Sequence, residues 1–113
     1  KNHVHLSRPN KMSGTLELQR ATVRWYLSLD ADDLPPGCRT GPNLVPFRSL
    51  TMDGEEIQFS AGFTELHTKV YEETLAGRGF GIEDARPSIS LVYDIRRAEA
   101  SPSAPGKAHP LLK

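Results

Sequence analysis

Apolar residues recur at helical spacing on both sides of the run Gly77-Arg78-Gly79-Phe80-Gly81, and that pattern limits the folds open to this chain more than any other. Upstream of the run, Phe63, Leu66, His67, Val70, Tyr71 and Leu75 fall on one face of an α-helix, with Glu65, Lys69, Glu72 and Glu73 largely off it. Gly77 is placed to stop that helix, because the residue just past a helix end often takes a left-handed conformation that glycine adopts without penalty. Downstream, Glu83 and Asp84 open a second helix with acids at the positive end of its dipole. Pro87 is expected in its first turn, where a missing N–H matters least, and Ile89, Val92, Tyr93 and Ile95-Arg96 carry the stripe onward. The glycine run superficially suggests a phosphate loop. It follows a helix, however, and a dinucleotide fingerprint needs strand, loop and helix in that order. It reads as a helix stop and a turn.

Two amphipathic helices need a surface to lie on, and the residues before them predict β-hairpins. His3-Val4-His5-Leu6 alternates as a short strand ended by Arg8-Pro9-Asn10. From Gly14, Leu16 and Leu18 keep one parity, whereas Ala21, Val23, Trp25, Leu27 and Leu29 keep the other. A side-chain period of two cannot change parity within one regular strand, so a bulge or a tight turn lies near Gln19-Arg20; a hairpin is the preferred reading. On its second strand Arg24 and Tyr26 share one face and Val23, Trp25 and Leu27 the other. Asp53-Gly54 predicts a second hairpin, with Leu50, Met52, Ile57 and Phe59 on its apolar side. Glu55 and Glu56 are strand neighbours that point to opposite faces, a poor arrangement for an acid/base pair. Residues 30–46, with four prolines and two glycines, form an irregular loop expected to reach over a site or a neighbour. The fold class is therefore α+β: an antiparallel or mixed sheet built of hairpins, with two C-terminal helices packed on one face. One domain is expected over residues 1–100, with a flexible tail at 101–113.

Charge and composition exclude several functions. Lys+Arg and Asp+Glu number 14 each, so no basic excess marks a nucleic-acid partner, while neutrality permits self-association. Cys38 is the only cysteine, which precludes an internal disulfide and suits a reducing, cytoplasmic setting; with no base beside it in sequence, it is not read as a nucleophile. No apolar run approaches the roughly 20 residues of a membrane span. His3 and His5 would share a strand face but lack a third ligand at suitable spacing, so no metal is expected. The chain opens at Lys1 in mid-alternation and without Met, as expected of a piece of a longer protein. By pattern alone Arg24 is the polar outside of a half-buried strand, or a guanidinium fork for a pyrophosphate or carboxylate. His67, one helical turn from Tyr71, fits a packed, hydrogen-bonded core histidine.

Two phrases, SGTLELQRATVRWYLSLD and TMDGEEIQFSAGFTELHTKVYEETLAGRGFGIEDARPSISLVYDIR, together resemble the C-terminal part of the UDP-N-acetyl-2-amino-2-deoxyglucuronate dehydrogenases of the Gfo/Idh/MocA family, over residues 4–97. The resemblance implies a two-part parent enzyme. An N-terminal Rossmann domain would bind NAD, and a C-terminal α+β domain with an open sheet would carry the sugar-nucleotide site and the oligomer contacts. The parent would oxidise C3 of UDP-N-acetylglucosaminuronate by hydride transfer, in bacterial surface-polysaccharide (lipopolysaccharide) synthesis. This chain lacks the Rossmann fingerprint, the Glu-Lys-Pro motif and the Asp-x-x-x-His that supplies the family's catalytic histidine. It is accordingly expected to bind no cofactor, hold no catalytic residue and be inactive alone. The resemblance makes Arg24 a partner for the uronate or diphosphate. It also makes His67 and Tyr71, in the family's LHTxxYE helix, polar contacts at the pocket wall. The partners implied are a UDP-sugar and further copies of the chain through the sheet face, with no nucleic acid and no membrane. The alternative is a stand-alone non-catalytic module that self-associates or binds a sugar nucleotide.

Overall fold

Two tight turns, Pro9-Asn10 and Gln19-Arg20, lay three strands side by side in the computed structural model, which describes residues 1–39, 46–62, 64–104 and 106–112. Strands β1 (Asn2–Arg8), β2 (Lys11–Glu17) and β3 (Thr22–Ser28) form an antiparallel sheet in the order β1-β2-β3. The change of parity is a hairpin: Glu17 faces Thr22, and the Leu18 N–H donates to the Ala21 carbonyl at 2.9 Å. The bulge lies elsewhere, between Val4 and Leu6 of β1, where His5 is the extra residue. Strand β2 also begins earlier than its alternation suggests. Lys11-Met12-Ser13 has no apolar rhythm, and pairing on both sides makes up for weak propensity.

Close approach across Gly14 holds the sheet together. Gly14 lies between Val4 and Trp25 in register, and a Cβ there would stand 2.4 Å from the His3 carbonyl oxygen and 2.6 Å from Trp25 Cζ2. The indole thus occupies the space that any side chain on β2 would need. Val4 and Ser13 are fully buried beside it and Thr15 nearly so.

The chain resolves into two compact units, Lys1–Asp30 with Gly81–Lys113 and Ala31–Phe80. In the first unit, helix α2 (Ile82–Arg97) contacts β1. The Gly81 N–H donates to Asp84 Oδ2 at 2.8 Å, which fixes the helix start and places Pro87 in the second turn instead of the first. Proline there has no N–H to offer the Glu83 carbonyl. Leu91, Ile95 and Ala98 are the half-buried positions, whereas Ile89, Val92 and Tyr93, expected on the inner stripe, are more than half exposed. Within the stretch 101–113, expected as a flexible tail, residues 101–104 and 106–112 make contacts to the sheet. The Ser101 N–H donates to the Val4 carbonyl at 2.9 Å, and further contacts reach β2 and β3.

The second unit opens with 3-10 turns at Ala31–Asp33 and Pro36–Cys38. The Arg39 guanidinium ties them, donating to the Leu34 carbonyl at 2.7 Å and to the Asp32 carbonyl. Strands β4 (Ser49–Met52) and β5 (Glu55–Gln58) pair around Asp53-Gly54, both at positive φ (52° and 88°), as the sequence predicts. Helix α1 (Leu66–Leu75) ends on Gly77 at φ 74°, also as predicted. Leu66, Val70, Tyr71 and Leu75 on α1 are 56–88% exposed. Residues 40–45 of the long loop, and Phe63 at the head of the stripe, lie outside the described residues.

Candidate functional site

Cross-strand pairing assembles the polar face of the first sheet. Thr15 stands opposite Arg24, and Ser13 opposite Tyr26, so these side chains project together as the parity of β3 requires. The bulge brings His5 into the same group, with Nε2 2.9 Å from Thr15 Oγ1 and Nδ1 3.4 Å from the Ser101 carbonyl oxygen. The Thr15 hydroxyl donates to the Lys107 carbonyl at 3.2 Å, so a proton on His5 Nε2 completes a continuous chain from His5 through Thr15 to residue 107. Arg24 is exposed, and its Nη1 reaches the Gly106 carbonyl at 3.4 Å, a long bond to a neutral acceptor. The His109 ring stacks on Tyr26 with centroids 5.6 Å apart and planes 21° apart. Burial, and next the Arg24 charge, lower the His109 pKa below the usual imidazole value.

The other two expected contact residues lie in the second unit. His67 and Tyr71 are exposed on α1, one turn apart. The packed core histidine that spacing suggested is not found: α1 buries none of its residues. Arg24 belongs to the first unit and the His67–Tyr71 pair to the second. The Gly77–Gly81 segment behaves as a turn. Arg78 donates to both carboxylate oxygens of Glu73, at 2.7 and 3.0 Å, and a Cβ at Gly79 would crowd Thr74 at 3.0–3.1 Å. It runs from α1 into α2 with no strand before it, so these residues do not fit a dinucleotide. Among the described residues no group of three or more His, Cys, Asp or Glu could hold a metal, and no helix is long and apolar enough to cross a membrane.

Thr15, His5 and His109 escaped the sequence reading. The parity of β3 marks Arg24 and Tyr26, but neither the bulge at His5 nor its contact with Thr15 has a local signal in the sequence. His109 falls in a Pro- and Gly-rich stretch that carries no periodicity at all. On the outward side of α2, Ile89, Val92, Tyr93, Arg96 and Arg97 line a shallow hollow, with the Arg97 guanidinium 4.2 Å above the Tyr93 ring.

No protein-family model matches the chain. Two solved structures of the WlbA (WbpB) dehydrogenase from Thermus thermophilus do. One, in complex with NAD and alpha-ketoglutarate, is 42% identical with a TM-score of 0.89. The other, in complex with NAD and UDP-GlcNAcA, is 39% identical with a TM-score of 0.87. Each match covers 99% of this chain and 36% of the dehydrogenase, so the chain spans little more than a third of the length of these relatives. The likeness runs along nearly the whole chain, which is similar in sequence and fold to one domain-sized part of that dehydrogenase.

Proposed function

We propose that this chain is the C-terminal portion of an NAD-dependent sugar-nucleotide dehydrogenase of the Gfo/Idh/MocA family that oxidises C3 of UDP-N-acetylglucosaminuronate in the cytoplasm. The observation that carries the proposal is the likeness, along 99% of the chain, to a dehydrogenase described with NAD and UDP-GlcNAcA. The chain's role is to bind and orient substrate. Arg24 offers a planar fork with two parallel N–H groups for a uronate or diphosphate, and its present partner, a single neutral carbonyl at 3.4 Å, competes weakly with such an anion. His67 and Tyr71 offer polar contacts to the sugar from one side of α1. NAD, which accepts the hydride when bound, belongs to another part of the parent, and no catalytic group is assigned to these residues. The test is the formation of NADH from NAD and UDP-GlcNAcA. The protein that carries this domain should turn over, and the 113 residues alone should give none. A parent that binds UDP-GlcNAcA without reducing NAD would defeat the proposal.

A second reading, a self-associating module, rests on the exposed apolar faces. Leu50, Met52 and Ile57 on the β4–β5 hairpin are 46–60% exposed, and Leu66, Val70, Tyr71 and Leu75 on α1 add to them. Apolar faces of this kind mark sites of association, and an isolated two-stranded hairpin is only marginally stable. Sedimentation of the chain should show dimers or larger species at micromolar concentration, and a monomer throughout would eliminate this reading.

A further inference from the structure

After α2 the chain crosses all three strands of the first sheet and touches each of them once or twice. Ser101 bonds to Val4 and His5 on β1, Lys107 to Thr15 on β2, Gly106 to Arg24 on β3, and His109 stacks on Tyr26 of β3. Beyond Ser101 the described hydrogen bonds to the sheet are 3.2 and 3.4 Å long, and the stack of His109 on Tyr26 adds a contact that shields both rings from water. We infer that residues 101–104 and 106–112 form a pH-dependent clasp over the polar face of the sheet, closed while the His109 ring is neutral and opened when it takes up a proton.

Burial and the Arg24 charge both favour the neutral His109 ring when the clasp is closed. From β3 it faces the Arg24 guanidinium and the Tyr26 ring. From β1 come His5 and His3, with Arg8 at the far end, and the clasp itself carries Lys107. From β2 come Lys11, already paired with Asp30 at 3.1 Å, and the single carboxylate Glu17 at the opposite end of the strand. A proton on His109 would therefore sit in a partly buried place beside like charge. Released into water, the same ring titrates near its free value of about 6.5. The docked pKa lies below the free one, so docking is fully favourable above the free value and weakens as pH falls through the docked value. Opening frees Arg24 from the Gly106 carbonyl and Thr15 from Lys107, and so uncovers the polar face.

The test is proton NMR of the 113-residue chain, following cross-relaxation between the Tyr26 and His109 rings at about pH 7.5 and about pH 5. The ring contact should be present at the higher pH and lost at the lower, while the β2–β3 cross-strand contacts persist at both. In H109F, whose ring stacks but cannot take a proton, the corresponding contact should survive at both pH values. R24Q, which removes the neighbouring charge, should move the His109 titration upward. Three results would overturn the clasp: a wild-type contact that persists at the lower pH or is missing at both, loss of the contact in H109F over the same range, or simultaneous loss of the β2–β3 contacts, which would be unfolding of the sheet.

Discussion

Gly14→Ala should destabilise the three-stranded sheet more than the same change at any other described glycine. The new Cβ would lie 2.4 Å from the His3 carbonyl oxygen and 2.6 Å from the Trp25 ring, both well inside contact distance. A flexible side chain could swing away, but His3 offers backbone. Moving it would disturb the pairing of His3 with Thr15 and of Val4 with Gly14. Trp25 has no easy retreat either, because Gly14 is its direct partner across the β2–β3 ladder. Overpacking of this kind costs about 1–3 kcal/mol and at times more. The first unit has little to set against it, with Val4 the one fully buried apolar side chain among the described residues. Urea denaturation followed by the fluorescence of Trp25, the only tryptophan, would measure the loss as a lower midpoint. An unchanged midpoint would mean that Trp25 does not lie across Gly14.

Arg24→Ala should weaken binding of UDP-GlcNAcA to the protein that carries this domain by about 10- to 100-fold, as loss of a charge-assisted hydrogen-bonding group worth about 1.5–3 kcal/mol predicts. Its exposed position and single long bond to Gly106 mean that the substitution removes little from the fold itself. Arg24→Lys should recover part of the affinity, because an ammonium keeps the charge but cannot make two parallel bonds to one carboxylate or phosphate. Titration calorimetry with the UDP-sugar separates the cases. Equal affinity of wild type and R24A would remove Arg24 from the site and leave the dehydrogenase assignment standing on the likeness of the whole domain.

The features that were legible in the sequence are those set by neighbouring residues. Asp53-Gly54 defines its hairpin because both residues tolerate positive φ. The parity reversal around Gln19-Arg20 forces a turn because side chains alternate strictly along a strand. Gly77 stops α1 because glycine takes positive φ without penalty, and the spacing of Leu66, Val70 and Leu75 marks the helix before it. Arg24 and Tyr26 could be placed on one face without coordinates. The run of glycines before α2 could be separated from a phosphate loop by its order alone.

Other features depend on contacts between residues far apart in the chain, and no local pattern carries those. Apolar spacing identifies a helix face but not what covers it: Leu91, Ile95 and Ala98 turn inward on α2 while Ile89, Val92 and Tyr93 face out, and the stripe of α1 stays exposed. The Asp84 cap, not the proline, decides where α2 begins, and Pro87 is left one turn too deep. Residues 101–112 look like a linker because Pro, Ser and Gly dominate them, yet backbone carbonyls of Gly106 and Lys107 find donors on strands more than 80 residues earlier. By itself, then, the sequence determined the hairpins, the two helices and the family likeness, since backbone conformation and side-chain alternation are local properties. The tertiary structure alone decided which faces are buried, where His5 points and that His109 closes over Tyr26, because burial and long-range hydrogen bonding exist only once distant segments meet.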